Sequence, residues 1–168
     1  HAVHNFCIVD MSNFYLDVIK DRLYVEKTDS ATRRAAQTVI YRILEALTLL
    51  ISPILAFTSD EIWRSMKHTS KVNPDRAVYN DMPVVSEISC DEGFMETWDK
   101  IHALRDNVQK ALEEARNAKV IGASLEAKVT LFAKGDTFEF LSGVKDKLAD
   151  VFIVSAVELK NEGEGAFK

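Results

Sequence analysis

Apolar residues recur three or four positions apart through most of the first 119 residues, and this helical spacing limits the fold more than any other feature. It predicts helices over residues 1–26, over 31–51, from 58 onward, and over 94–119. The stripe of the second helix consists of Val39, Ile43, Leu47 and Leu50, and that of the fourth includes Trp98, Ile101, Val108, Leu112 and Ala115. Short connections near residues 28 and 52–57 favour an antiparallel helical bundle.

Local signals predict where these helices begin and end. Thr28, Asp29 and Ser30 break the first helix and supply N-cap chemistry for the second, and Pro53 stops that second helix. Thr58 and Glu61 have the spacing of a capping box, which would start the third helix at Thr58. Gly122 is expected to end the turn after the fourth helix. Residues 70–92, rich in prolines, asparagines and acids, predict a long surface connection that carries a short element or lies across the bundle.

The apolar pattern changes after the fourth helix. Residues 129–133 alternate between apolar and other side chains as in a strand, residues 137–149 return to helical spacing, and residues 151–159 are rich in β-formers. Strand, helix and strand within about 30 residues predict a βαβ unit. The expected fold is therefore mainly α: a helical bundle over 1–119, followed by a small α/β unit over 120–168 with a loose tail from residue 161.

Composition places the chain among ordinary globular proteins. It has 168 residues, of which 47% are hydrophobic and 28% charged. No apolar run reaches the ~20 residues of a membrane helix, since Thr48, Ser52 and Pro53 interrupt the longest one. The net charge of −5 argues mildly against nucleic acid as a partner, but residues 20–42 hold six basic residues and only three acids. The whole-chain charge therefore conceals one locally positive segment.

The two cysteines and the first residue bear on the cellular setting. Cys7 and Cys90 give neither a disulfide framework nor a metal-binding pair, which favours reduced thiols in the cytoplasm. The chain begins at His1, without methionine, in a segment that is already predicted to be helical. We therefore expect the N-terminus to be a cut within a longer protein.

The sequence predicts no catalytic residue and no metal site. It has no glycine-rich nucleotide loop and no nucleophile–base constellation. His4 and Cys7 lie three positions apart on a helix, but two ligands do not make a site. Asp60 and Glu61 are explained by capping and by the helix dipole. Trp63 and Trp98 lie on apolar stripes, which favours core packing over base stacking.

A group of basic residues has two possible interpretations. Its members surround the predicted turn between the first two helices: Lys20, Arg22, Lys27, Arg33 and Arg34. Charge alone fits either a solvated helix face or a face that binds phosphate groups. From the residues alone, the chain is a helical bundle with a small α/β unit and has no assigned function.

Several strings resemble the anticodon-binding domain of isoleucyl-tRNA synthetases, which are class I aminoacyl-tRNA synthetases. They are DMSNFYLD (10–17), KDRLY (20–24), RRAAQTV (33–39), PILAFTSDEIW (53–63) and IGASLEA (121–127), with Trp98, Arg105-Asp106, Leu112-Glu113 and Ala115-Arg116 between the last two. The 53–63 string is similar in the valine and leucine enzymes, whereas KDRLY, RRAAQTV and SLEA point to isoleucine. Met11 and Ser52 depart from the usual leucine and alanine.

This resemblance implies a role in recognition. It implies that the chain, as a monomer, binds the anticodon stem-loop of isoleucine tRNA, so that the catalytic core of the same polypeptide can attach isoleucine. ATP and Mg²⁺ belong to that core; the HIGH and KMSKS strings that handle ATP are absent here, as are the paired zinc-binding cysteines that end many bacterial members. We expect no cofactor and no catalysis in this chain. The resemblance favours the phosphate-binding interpretation of Lys20, Arg22, Lys27, Arg33 and Arg34. The alternatives are a protein-interaction bundle, or the same domain of a valyl- or leucyl-tRNA synthetase.

Overall fold

The computed structural model describes residues 1–68, 71–82, 92–163 and 165 of the chain, and these are mainly helical. They form two compact units. The first consists of residues His1–Asn13 and Ile19–Ser89, and the second of Phe14–Val18 and Cys90–Lys168. None of the helices in the described part of the chain combines the length and apolar character that crossing a bilayer requires.

The first helical segment is less regular than its sequence predicted. A single α-helix over 1–26 is wrong, since the chain forms α1 (Ala2–Asn5), a π-helical stretch (Phe6–Tyr15), α2 (Leu16–Val18) and α3 (Lys20–Tyr24). In a π-helix each backbone N–H bonds five residues back, which moves side chains out of phase with a 3.6-residue stripe. The predicted stripe is accordingly not buried as one face, and Ile19 is the single fully buried residue of this segment.

Helix α4 has the predicted bounds, Ala31–Ile51. The Ser30 hydroxyl accepts a hydrogen bond from the Arg33 amide, and the helix ends two residues before Pro53. The predicted stripe is rotated, however: Val39 and Leu50 are 43% and 54% exposed. The buried residues are Ala36, Thr48 and Leu49. The helix contacts α3, α5 and a 3₁₀ turn described below, so several neighbours, and not one apolar stripe, decide what is buried.

Helix α5 spans Ala56–Ser65 and begins two residues earlier than predicted. The Ser59 amide already donates to the Leu55 carbonyl, so Thr58 lies inside the helix and cannot form the predicted capping box with Glu61. Asp60 likewise has no capping role. The reason is the tight turn after α4, in which the Ile54 and Leu55 amides both donate to the Ile51 carbonyl and the next helix follows at once.

Buried Asp60 anchors the following loop to α5. Its carboxylate accepts hydrogen bonds from the Ala77 amide and the Arg76 guanidinium, each at 2.9 Å. The Ala77 amide is the main cause that holds the pKa of this carboxyl below its ordinary value. Ala77 begins the 3₁₀ turn Ala77–Tyr79, a short element of the kind expected in the 70–92 connection. Residues 70 and 83–91 of that connection lie outside the described residues.

The loop also covers the core of the first unit. Trp63 is 1% exposed, and its indole N–H donates to the Asn73 carbonyl at 2.8 Å. Leu49 and Ala77 are buried with it, and His68 stacks on its ring at 4.1 Å between centroids. The prediction that Trp63 packs in the core is confirmed.

The second unit contains α6 (Glu92–Asn117), β1 (Lys128–Phe132), α7 (Asp136–Phe152) and β2 (Ala156–Lys160). The two strands pair in parallel, with Lys128 opposite Ala156 and Phe132 opposite Lys160, and α7 connects them. This confirms the predicted βαβ unit. Helix α6 belongs to the same compact unit as the strands; a domain boundary at 119/120 remains a prediction.

Two boundaries in this unit differ from the predicted ones. Val151 and Phe152 were predicted as strand, but they end α7 and are 3% and 1% exposed, since they continue its buried stripe from Leu141 and Leu148. Burial of that stripe outweighs their β-propensity. After α6 the left-handed residue is Lys119, with φ of 57°, and not Gly122.

Arg105 is a buried charge that the sequence did not signal. It is 7% exposed on α6, where it lies among Ile101, Val108 and Leu112. Its Nε donates to the Val151 carbonyl at 3.1 Å, and its guanidinium lies 5.2 Å from the centre of the Phe14 ring. The carbonyl at the end of α7 therefore has a donor, and the predicted apolar stripe of α6 includes one cation.

The Asp60 anchor predicts a pH-dependent loss of stability. We expect Asp60→Asn to lower the melting temperature at neutral pH, because the carboxylate that accepts from Ala77 and Arg76 is gone. Because the folded-state pKa of Asp60 lies below its ordinary value, the ionised carboxylate stabilises the fold above pH about 4. This stabilisation is lost as the pH falls through the folded-state pKa. Melting curves of both proteins should therefore converge in acid.

Glu61→Gln is the matched control, since Glu61 is the next residue of α5 and is exposed. Its melting curves should follow those of the wild type at every pH. A constant difference between wild type and Asp60→Asn down to pH about 2, far below the ordinary pKa of an aspartate, would contradict the assignment.

Candidate nucleic-acid interface

A six-residue turn, residues 25–30, joins α3 to α4 in the first unit. Glu26 is its second residue, and the Glu26 carboxylate accepts hydrogen bonds from the hydroxyls of Ser30 and Thr32. These bonds, that of Ser30 first, lower the pKa of Glu26, and the nearby Arg22 lowers it further. The Ser30 amide donates to the Lys27 carbonyl at 3.1 Å and closes the turn. The turn is thus held by side chains that the sequence places next to α4.

The five predicted phosphate-binding residues all lie on or beside this turn. Lys20 and Arg22 belong to α3, Lys27 lies in the turn, and Arg33 and Arg34 are in the first turn of α4. Lys20, Lys27 and Arg34 are exposed, whereas Arg22 and Arg33 are half-buried. The structure therefore places the five cations in one region of the chain but gives them different surroundings.

Arg33 braces the turn. One guanidinium nitrogen donates to the Glu26 carbonyl at 2.8 Å, across seven residues of sequence. This contact ties the first turn of α4 to the end of the preceding segment, which is a structural role. It differs from the phosphate-binding role that the sequence suggested for the pair Arg33 and Arg34.

Arg34 instead lines an open groove on the outer face of α4. The groove has a volume of about 510 Å³ and is lined by Thr28, Arg34, Gln37, Thr38 and Tyr41. Among the residues that the structure describes, the Arg34 guanidinium has no recorded hydrogen-bond or ion-pair partner. A cation, an amide and hydroxyl groups converge here, and none of the described lining residues is acidic.

Tyr41 forms the fixed end of the groove. Its phenol donates to the Lys67 carbonyl at 2.8 Å, which holds the ring between α4 and the end of α5. Burial, followed by the charge of Glu45, raises the pKa of Tyr41, so the phenol stays neutral at physiological pH. The Thr38 hydroxyl donates to the Arg34 carbonyl at 2.8 Å, which leaves its oxygen free to accept another hydrogen bond.

The sequence analysis did not identify Gln37, Thr38 and Tyr41 as site residues. A signal was present, since residues 34, 37, 38 and 41 are spaced to share one face of a helix. That face is polar and lies opposite Ala36, which is buried. A polar face is what any helix presents to solvent, so this spacing alone does not indicate a site. The groove exists because the fold places Thr28, from the preceding turn, beside the polar face of α4.

The other groups considered in the sequence analysis are the turn at Gly122, Trp98 and the two cysteines. The amides of Gly122 and Ala123 donate to the Glu126 carboxylate and lower its pKa, so an internal carboxylate occupies this turn. Trp98 is half-buried and packs edge-on against Phe14. In the described part of the chain, Cys7 is a free thiol, and no group of three or more histidine, cysteine, aspartate or glutamate residues could hold a metal ion. Cys90 lies outside the described residues.

Comparison with known proteins identifies the family. Residues 1–131 match the family described as the anticodon-binding domain of tRNA ligase. The chain belongs to this family of anticodon-binding domains. The match covers α1 to α6, together with the turn 25–30 and the groove, and ends within β1.

Curated relatives extend the match over the whole anticodon-binding chain. An isoleucine–tRNA ligase of Caldicellulosiruptor bescii is 47% identical over 169 aligned residues, which cover 100% of this chain. Those of Carboxydothermus hydrogenoformans and Syntrophotalea carbinolica are 52% and 50% identical, each over 96% of it. The chain spans about 18% of the length of the first of these relatives and 17% of the other two.

The different surroundings of the two neighbouring arginines predict different effects on stability. Arg33→Ala removes the contact with the Glu26 carbonyl and should lower the free energy of unfolding by about 1 kcal/mol. Arg34→Ala removes an exposed side chain and should change it by less than about 0.5 kcal/mol. Urea titrations of both variants measure the difference, and equal losses would show that Arg33 does not brace the turn.

Proposed function

We propose that this chain binds isoleucine tRNA for a longer isoleucine–tRNA ligase whose catalytic core attaches isoleucine in an ATP- and Mg²⁺-dependent reaction. The observation that carries the proposal is the match of residues 1–131 to anticodon-binding domains, in a chain whose curated relatives are isoleucine–tRNA ligases along its full length. The ligase acts as a monomer in the cytoplasm, and the chain itself contributes recognition and not chemistry.

We infer that helices α3, α4 and α5 of the first unit run antiparallel, as in a bundle. Support comes from the short turns after α3 and α4, and from the contacts of α4 with both α3 and α5. In such a bundle, loops and helix ends are available to an RNA that approaches from outside. The turn 25–30 and the first half of α4 then form one continuous polar surface.

A surface that binds an anticodon loop makes two kinds of contact, one with the bases and one with the phosphates. Anticodon bases are unpaired, so they are read by stacking and by hydrogen bonds to their edges. Cations on the protein hold the phosphates and carry no sequence information. We assign the second task to Lys20, Arg22, Lys27 and Arg34, because they lie around one turn and outnumber the acids beside them. Arg33 supports them by bracing that turn.

A net charge of −5 is compatible with this assignment. Physiological salt screens exposed charges over about 8–10 Å, so a phosphate group responds to the cations around the turn and not to acids elsewhere in the chain. The negative charge also limits non-specific binding of other nucleic acids, since that binding is almost wholly electrostatic.

The proposal predicts anticodon-dependent binding by the isolated chain. In low salt it should bind an isoleucine tRNA transcript more tightly than the same transcript with a changed anticodon, because each lost base contact weakens binding. Fluorescence-anisotropy titrations give both dissociation constants. Failure to bind either transcript would instead favour a protein-interaction module. A preference for valine or leucine tRNA would favour the corresponding synthetase.

A second prediction concerns catalysis. The chain should show no isoleucine-dependent ATP–pyrophosphate exchange, because neither of the strings that handle ATP in the family is present in its sequence. The full-length ligase of one of the relatives, assayed under identical conditions, is the positive control. Exchange above background by the purified chain would overturn the assignment of a recognition role alone.

A further inference from the structure

We propose that the groove formed by Thr28, Arg34, Gln37, Thr38 and Tyr41 binds one backbone unit of RNA, with the phosphate against Arg34 and the ribose 2′-hydroxyl against Gln37 and Thr38. The inference rests on the proposed function and specifies it further. It names the part of the RNA that this surface recognises, and it adds Gln37 and Thr38, which the sequence analysis did not identify as site residues.

The size and shape of the groove fit such a ligand. Its volume of about 510 Å³ lies within the ~300–1,000 Å³ range of pockets that hold small ligands. It is open along the outer face of α4, so a polymer can lie in it without its ends being enclosed. The lining residues come from α4 and from the turn before it, both in the first unit.

The chemistry of the lining favours backbone over base. Arg34 offers the fork of donors that suits phosphate oxygens. The Gln37 amide can both donate and accept, and the Thr38 oxygen can accept, because its own hydrogen is engaged by the Arg34 carbonyl. Both can therefore bond a 2′-hydroxyl, the group that distinguishes RNA from DNA. Tyr41 is the only aromatic residue among the described residues that line the groove, and it is half-buried with its phenol engaged by the Lys67 carbonyl. It thus serves as a wall of the groove and is poorly placed as an open stacking platform.

The local charge supports an anionic ligand. Asp29 is the acid nearest in sequence, directly after Thr28, and it is exposed but does not line the groove. Glu26 is held by the hydroxyls of Ser30 and Thr32 and lies near Arg22. Glu45, one turn beyond Tyr41, pairs with Arg42 at 3.2 Å. Glu26 and Glu45 therefore have partners, while Arg34 is the cation that lines the groove.

The test compares two variants on two polymers. The ligands are an isoleucine tRNA transcript and an all-deoxy strand of the same sequence, titrated by fluorescence anisotropy at three salt concentrations. Arg34→Ala should weaken binding of both polymers about 10-fold and make the salt slope shallower by about 0.7–0.9. Gln37→Ala should weaken binding of the transcript about 3- to 10-fold and that of the deoxy strand less than about 2-fold, because only RNA offers the 2′-hydroxyl.

Arg42→Ala is the matched control, because Arg42 is an exposed cation on the same helix but does not line the groove. It should leave the affinity of both polymers within about 2-fold of wild type, since its charge is paired with Glu45. Melting curves of all three variants should coincide with that of the wild type, because Arg34, Gln37 and Arg42 are exposed. A variant that melts early is replaced by Arg34→Gln or Gln37→Glu, which keep a long polar side chain at the position and should still weaken binding.

The outcomes separate this inference from the proposed function. If the wild type binds no tRNA, the proposed function and this inference both fail. If it binds tRNA and Arg34→Ala binds equally well, the groove is not used and only the inference fails. If Gln37→Ala loses the same factor on RNA and on DNA, the groove recognises phosphate alone and the assignment of the 2′-hydroxyl is overturned.

Discussion

The hydrogen bonds of the buried Asp60 carboxylate underlie the arrangement of the first unit. They fix the Arg76–Ala77 segment against α5, and the loop so held covers Trp63. Helix α5 is thereby held against that loop. The Lys67 carbonyl, just beyond the end of α5, accepts the hydrogen bond of the Tyr41 phenol. The end wall of the groove on α4 thus depends, through α5, on one carboxylate in the interior. A buried acid of this kind is stable only because each of its oxygens has a donor.

Several acids of this chain serve its own structure. Glu26 holds the turn before α4, Glu126 accepts from two backbone amides, and Glu158 pairs with Lys128 at 2.8 Å across the strand pair. Each of these carboxyls has a lowered pKa and remains ionised. The overall charge of −5 therefore says little about the outer face of α4, where Arg34 is exposed. Electrostatic recognition depends on the arrangement of charges within a Debye length, and a sum over the chain discards that arrangement.

How much the sequence predicted varied with the type of signal. Regular helices with clear ends were predicted well: α4 begins after Ser30, one of the three residues expected to supply its N-cap, and ends before Pro53 as expected. The βαβ unit was also recognisable, because the change from helical to alternating spacing is local information. Predictions failed where tertiary burial competed with local preference, as at Val151 and Phe152, or where a wider helical turn changed the phase of a stripe, as in Phe6–Tyr15.

The sequence by itself determined the mainly helical class, the βαβ unit and the kinship with anticodon-binding domains, because spacing and residue identity are properties of the linear chain. It also singled out the two arginines at the start of α4. Only the tertiary structure decided that Arg33 braces the turn while Arg34 lines a groove, and that Arg105 is buried. Neighbours in sequence point in different directions around a helix, so their roles depend on atoms brought near by the fold, such as the Glu26 carbonyl seven residues away.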